Sequence, residues 1–230
     1  MSELKVIISS DGYAEVPVGN DGRRKRISIK DFSKAISTLV SESDQNLTQD
    51  TLILPKSIYT LAKTAAGYIV TMFYKGETRE MTHTSAGTHM IPLPNVIIRL
   101  NMDRIIGTHD NYSINNITWM ATDKSRDELP EEIPHTPDAY SHFWALPMPN
   151  MYTSGVMCTG SNVLPRKVGN NWRVLEDLYE NVLVRSKFNN DLSVPSLNQR
   201  ESPSQWFDTL ATLVKEDEDA TFPYHLLTGF

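Results

Sequence analysis

The chain has 230 residues, 40% of them hydrophobic, enough for one large domain or two small ones with ample core and too apolar for general disorder. Its formal net charge of −6, without a long basic run, gives electrostatic binding to phosphate backbones little support. One cysteine excludes an internal disulfide framework and a cysteine-cluster zinc site, and no apolar run reaches the roughly 18 residues that span a bilayer.

Residues 4–9 read as a β-branched strand, Asp11-Gly12 as a turn and residues 13–18 as the returning strand of a hairpin. Gly22-Arg23-Arg24-Lys25-Arg26 then sets four adjacent cations on what reads as a solvated connection from hairpin to helix. Ser28 can cap a helix that carries Ile29, Phe32, Ile36, Leu39 and Val40 on one face and ends near Glu42. Residues 43–50 are polar and loop-like, residues 51–55 form a short apolar segment stopped by Pro55, and a second short helix is expected after it.

From Gly67 the pattern turns to strands. Residues 68–74 are rich in aromatic and β-branched side chains, Lys75-Gly76-Glu77 turns the chain, and residues 78–82, 96–100 and 116–122 are the next strand candidates of an antiparallel meander. Residues 123–140 are charged and carry Pro130, Pro134 and Pro137, so they are expected as a surface loop that can also serve as a partner surface. Asn170 or Asn171 can cap a helix with Trp172, Leu175, Leu178, Tyr179, Val182 and Leu183 on one side. A last helix is expected around residues 205–214, ending in the acids of residues 216–219.

Between these elements lies the stretch that carries candidate chemistry. Pro149 fixes the backbone ahead of Asn150, Thr153-Ser154-Gly155 can turn the chain back, and Cys158 then comes near Asn150. A thiolate can carry an acyl group, and a neighbouring amide N–H can bind the oxyanion that forms when a nucleophile attacks the thioester. A lone cysteine is more often a small buried hydrophobe than a catalyst. It is the spacing from Asn150 that favours chemistry here.

Met148-Pro149-Asn150-Met151-Tyr152-Thr153-Ser154-Gly155-Val156-Met157-Cys158 resembles the active-site segment of ubiquitin-conjugating enzymes, in which His-Pro-Asn is followed by a glycine turn and the thioester cysteine at this separation. The flanking Trp144-Ala145-Leu146-Pro147 and Lys187-Phe188-Asn189-Asn190-Asp191-Leu192 resemble a bacterial, plasmid- or phage-associated branch of that superfamily, the PRTRC system protein B group. The resemblance implies an α+β fold: a ubiquitin-conjugating-like antiparallel meander with flanking helices over residues 51–230, plus a small hairpin and helix extension over residues 1–50. It also implies a conjugating (acyl transferase) enzyme that accepts a ubiquitin-like modifier as a thioester on Cys158 and passes it to an amine, with Asn150 at the oxyanion. The implied partners are the modifier, a ThiF-like activating enzyme and a deubiquitinase-like metalloprotease. Met148 stands where the family has its structural His, and this departure supports an inactive scaffold that keeps the fold to bind partners. A plasmid-associated nucleic-acid accessory protein, resting on Arg23 to Arg26, is a further alternative.

Other constellations are weaker. His83, His89, His109, His135, His142 and His225 show no metal-ligand spacing, and no glycine-rich phosphate loop is present, so no metal and no cofactor are expected. His142 could pair with Cys158, but a surface or pocket-edge role is favoured. Asp123, Asp127, Glu128, Glu131 and Glu132 could take a proton from an attacking amine, but a solvated loop is favoured. Tyr152 and Trp144 read as packing residues. Residues 1–5 lack a charged-then-apolar leader, so a cytoplasmic protein with no membrane partner is expected.

Overall fold

The computed structural model describes residues 4–9, 11–18, 23–41, 54–106, 111–159, 167–169, 171–197 and 201–228. In chain order its strands are β1 (Leu4–Ile8), β2 (Tyr13–Pro17), β3 (Arg24–Ser28), β4 (Ile58–Lys63), β5 (Gly67–Tyr74), β6 (Thr78–His83), β7 (Gly87–Pro92), β8 (Asn95–Arg104), β9 (Tyr112–Thr122), β10 (Trp144–Ala145), β11 (Lys167–Val168) and β12 (Lys187–Phe188). Helix α1 (Ile29–Ser41) follows β3, and α2 (Pro203–Glu216) follows β12. The fold is α+β with mostly antiparallel sheets. Two compact units divide the chain: Met1–Met72 with Leu100–Asn116 and Pro165–Asp177, and Phe73–Arg99 with Ile117–Leu164 and Leu178–Phe230.

In the first unit, strands run side by side in the order β5-β4-β1-β2-β3. Gly12 makes the β1–β2 turn at φ +84°, a left-handed conformation that costs glycine little, and its N–H donates to the Ser9 carbonyl. Strand β3 takes the place of the expected solvated connection. Arg24 to Ser28 pair with Pro17 to Tyr13 at the sheet edge, where charged side chains are tolerated because one face meets water. The Ser28 hydroxyl accepts from the Asp31 N–H at 3.1 Å, so this residue caps α1 as its sequence suggests, and Phe32 buries the helix's first turns against β2 and β3. Of the segment at residues 51–55, residues 51–53 lie outside the described residues. No helix follows Pro55: two turn residues lead into β4, whose first five residues are all buried. A strand covered on both faces shows no alternation, and that hides it from a periodicity reading. Tyr68, Tyr112 and Trp172 meet edge to face at centroid separations of 5.3–5.8 Å.

In the second unit, β10 pairs antiparallel with the end of β9, with Trp144 opposite Ala121 and Ala145 opposite Met120. A separate sheet runs β12-β6-β7, with β12 parallel to β6 and β7 antiparallel to it. Helix α2 packs on β6 and β7, burying Trp206, Phe207, Leu210 and Ala211. Its start is fixed by a reciprocal cap: the Gln205 N–H donates to the Ser202 hydroxyl, the Ser202 N–H donates to the Gln205 side chain, and Pro203 occupies the first turn. The expected long helix after Asn171 is irregular, a 3₁₀ turn over Trp172–Leu175 that belongs to the first unit and a π-helical turn over Leu178–Val184 that belongs to the second. The Asn171 side chain caps it by accepting from the Arg173 N–H, and Asn170 lies outside the described residues. The apolar positions named for that helix are buried all the same, since burial depends on the chain lying against the core and not on its exact pitch.

Candidate functional site

The site is a hairpin docked on the end of β9. Met151 and Met157 form an antiparallel bridge and are both buried. Beyond them the Tyr152 N–H donates to the Val156 carbonyl at 2.8 Å, and the Gly155 N–H donates to the Tyr152 carbonyl at 2.9 Å. This is a three-residue loop closed by a left-handed glycine, with Gly155 at φ +78°. Glycine is needed there for a second reason. A Cβ at Gly155 would lie 2.8 Å from Thr118 Cγ2, 2.9 Å from the Trp119 carbonyl oxygen and 3.1 Å from Pro137 Cγ. The close approach lets the Trp119 N–H donate to the Gly155 carbonyl at 2.7 Å, tying the hairpin tip to β9.

At the open end of the hairpin, the Cys158 N–H donates to the Asn150 carbonyl at 2.7 Å. Asn150 and Cys158 are therefore opposite residues one step from the methionine bridge. Met151 and Met157 go into the core, whereas Tyr152 (46% exposed), Val156 (38% exposed) and the Cys158 thiol meet solvent. Asn150 is 8% exposed and sits at φ +64°, the left-handed region that asparagine tolerates better than other non-glycine residues. The structure thus brings the two sequence-chosen residues together by backbone pairing, with the thiol outward.

Below the hairpin the support is apolar. Met148 is fully buried, and its N–H donates to the Leu146 carbonyl at 2.8 Å. Trp206 Nε1 donates to the Pro147 carbonyl at 2.8 Å, so α2 holds the segment just before the motif. Trp144 Nε1 donates to the Thr228 carbonyl at 2.7 Å. Trp144 is buried and structural, as its sequence reading has it, and Tyr152 lies exposed on the outer face of the hairpin.

His142 is paired with Asp123. Its Nδ1 is 2.9 Å from Asp123 Oδ2, and since Trp144 pairs with Ala121, Asp123 and His142 continue the β9–β10 register by two steps. The pair closes the neck of the loop at residues 124–141. Glu128 is likewise occupied, capping the 3₁₀ turn Arg126–Glu128: the Ser125 hydroxyl and N–H both donate to it, which holds its carboxyl below the usual carboxylate range. His135 Nδ1 lies 2.8 Å from the buried Arg99 guanidinium, which can only donate, so the ring nitrogen accepts. His83 is fully buried, with Nδ1 accepting from the Ser85 and Ala86 amides. His109 lies outside the described residues. Among the described residues no group of three His, Cys, Asp or Glu side chains is placed to hold a metal ion, and no helix is long and apolar enough to cross a membrane.

Sequence reasoning did not find the Asp123–His142 neck or the Trp206–Pro147 bond. The first had a signal in the equal spacing of Asp123 and His142 from the paired ends of β9 and β10. The second joins residues 59 positions apart and had none. Fold and site together define an α+β protein whose exposed cysteine sits opposite a left-handed asparagine on a glycine-closed hairpin. No family model, no curated protein and no solved structure matches the chain.

Proposed function

We propose that this is a ubiquitin-conjugating-like protein, related to the PRTRC system protein B group, that accepts the C-terminus of a ubiquitin-like modifier as a thioester on Cys158 and transfers it to an amine. One observation carries the reading: the exposed Cys158 and the left-handed Asn150 are cross-strand neighbours joined by a 2.7 Å backbone hydrogen bond. The antiparallel strands leading into the site and the helix after it are compatible with a conjugating fold.

In this chemistry the Cys158 sulfur attacks the activated carbonyl of the modifier and displaces its carrier. An amine then attacks the Cys158 thioester, the carbon–sulfur bond breaks, the thiolate leaves and the amine proton passes to a base or to solvent. The Asn150 amide would donate to the oxyanion formed at each step. A ThiF-like activating enzyme supplies the activated modifier at the expense of ATP, a deubiquitinase-like metalloprotease can reverse the product, and the setting is the cytoplasm. The test is a loading assay with the cognate activating enzyme, modifier and ATP, in which the wild-type chain gives a reductant-sensitive adduct and Cys158→Ser does not.

A second reading is an inactive scaffold, favoured by Met148, whose apolar side chain is fully buried where the family places its His. A wild-type chain that stays uncharged while binding the same partners would establish it. The nucleic-acid reading is weakened by the cations of β3. Arg26 pairs with Asp11 and lies 4.5 Å over the Tyr13 ring, and Arg24 reaches the Glu15 carbonyl. Salt-dependent DNA binding lost on neutralising Arg23 to Arg26 would revive it.

A further inference from the structure

Strand β3 is the last strand of the first unit's sheet. It pairs with β2 from Tyr13 opposite Ser28 to Pro17 opposite Arg24, and among the described residues no strand lies beyond it. The two ends of this ladder show which way its backbone groups point. The Val18 N–H donates to the Arg23 carbonyl at 2.8 Å, and the Ile29 N–H donates to the Gly12 carbonyl at 3.1 Å. Hydrogen-bonded and non-hydrogen-bonded pairs alternate along an antiparallel ladder, so Arg23, Lys25, Ile27 and Ile29 turn their backbone groups to β2. The amides of Arg24, Arg26 and Ser28 therefore face outward, along the open edge of the sheet.

An open edge is a template for another strand, and here charge selects the strand. Four consecutive cations, Arg23 to Arg26, run along this edge. Side chains alternate in a strand, so Arg24 and Arg26 lie on one face of the sheet and Arg23 and Lys25 on the other. Two copies of the edge would set cation against cation, and the charges that oppose self-pairing favour an acidic strand. The pair that Arg26 makes with Asp11 does not prevent this: both side chains are about half exposed, and an ion pair so exposed is held weakly enough to exchange partners. Arg26 also lies 4.5 Å over the Tyr13 ring, which keeps its charge at the edge. A phosphate backbone fits less well. Glu15 stands opposite Arg26 with Asp11 beside it, so carboxylates are interspersed among the cations, and phosphates, which only accept, leave the outward carbonyls of the row unanswered.

We propose that β3 binds an extended, acid-rich segment of a protein partner, which joins the sheet as a further strand through the outward backbone groups around Arg26 and sets carboxylates against Arg26 on one face and Lys25 on the other. The assignment is independent of the chemistry proposed at Cys158.

The test combines NMR titration and amide hydrogen exchange of the full chain. The ligands are a blocked seven-residue peptide alternating glutamate and valine, its lysine–valine counterpart, its fully N-methylated form and a twelve-base-pair DNA duplex. At saturation the glutamate peptide should slow exchange at the Arg26 and Ser28 amides at least tenfold and leave the Lys25 and Ile27 amides, already turned to β2, unchanged. The lysine peptide and the N-methylated peptide, which has no backbone donors, should not bind. K25E combined with R26E should reverse the preference to the lysine peptide, a gain that an unfolded variant cannot show. R26P should bind the glutamate peptide at least tenfold more weakly than R26Q, since both lose the charge but only proline loses the outward N–H, at an edge position where a sheet tolerates it. The proposal is overturned if the glutamate peptide protects neither amide, if the N-methylated peptide binds equally well, or if R26P and R26Q bind alike. Tenfold tighter binding of the duplex at the same salt, or protection of the Arg26 and Ser28 amides that rises with concentration of the chain alone, would also overturn it by assigning the edge to nucleic acid or to a second copy.

Discussion

Cys158 and Asn150 are joined through the backbone, the Cys158 amide donating to the Asn150 carbonyl at 2.7 Å, so the position of the thiol depends on the conformation of the asparagine. Asn150 holds φ +64°. Alanine there pays the left-handed steric cost, roughly 1 kcal/mol, whereas glycine does not. We expect Asn150→Ala to lower unfolding stability by about that amount and Asn150→Gly to leave it within about 0.5 kcal/mol. Both should slow transfer to lysine by roughly 10²-fold, the scale for losing one oxyanion donor. Urea denaturation and single-turnover discharge check the two effects separately, and a slow alanine variant beside a fast glycine variant would assign Asn150 to backbone geometry alone.

Gly155 is the second lock on the hairpin. A methyl group there would meet Thr118 Cγ2, the Trp119 carbonyl and Pro137 Cγ within 2.8–3.1 Å, at a φ of +78°. Strain and overpacking together should make Gly155→Ala cost about 2–4 kcal/mol. Chemical denaturation measures this, and a loss under about 1 kcal/mol would mean the tip is loosely held.

Met148 tests what the motif position needs. It is fully buried with no polar task for its side chain, so Met148→Leu should cost less than about 1.5 kcal/mol. Met148→His buries an imidazole without a partner and should cost about 1–3 kcal/mol. A histidine variant as stable as the wild type would show a hydrogen-bonding place there.

Tyr224 sets a limit at high pH. Burial, helped by the charge of Asp123 and opposed by the Asn95 N–H bond, pushes its phenol up to about 12 from an ordinary value near 10. The unfolded chain therefore ionises first. Stability is fully present below pH 10 and falls as pH rises toward 12, by about 2 kcal/mol if Tyr224 acts alone. Buried Tyr179, stacked on Tyr74 at 4.1 Å, is shifted upward chiefly by burial and adds to the same fall. In urea midpoints measured from pH 9 to 11, Tyr224→Phe should start lower, having lost the acceptor for the Asn95 N–H, and should fall less steeply than the wild type. Equal slopes would remove Tyr224 from the alkaline transition.

Elements with strong local signals were legible in the sequence. The β1–β2 hairpin announces itself through Asp11-Gly12, and α1 through the Ser28 cap. Strands β5 and β9 show in runs of β-branched and aromatic residues, and α2 was placed within two residues at each end. The Ser202-Pro203-Ser204-Gln205 cap would have fixed its start. What escaped was decided by context. Strand β3 is basic because it lies at a sheet edge, β4 is uniformly apolar because it is buried, and β7 follows a turn at residues 84–86 that carries little pattern of its own. The pairing of Asn150 with Cys158 was readable because its geometry is local. Nine residues, from Asn150 to Cys158, contain the proline-preceded asparagine, the glycine and the thiol. Its supports were not readable, because Trp206 reaches Pro147 across 59 positions.

Accessibility of the thiol is a separate requirement. Cys158 is exposed on the outer face of the hairpin, so iodoacetamide should modify the native protein at a rate comparable to a free thiol. Asn150→Gly should leave that rate nearly unchanged. Labelling only after unfolding would remove Cys158 from consideration as an acyl carrier.

The most direct measurement is the intact mass of the chain after incubation with its cognate activating enzyme, the modifier and ATP, under non-reducing conditions. We expect a mass gain equal to the modifier less one water, mapped to Cys158, reversed by excess thiol and absent from Cys158→Ser. An activating enzyme that charges itself with the modifier while the folded, thiol-accessible chain never gains mass would contradict the assignment of Cys158 as a thioester carrier.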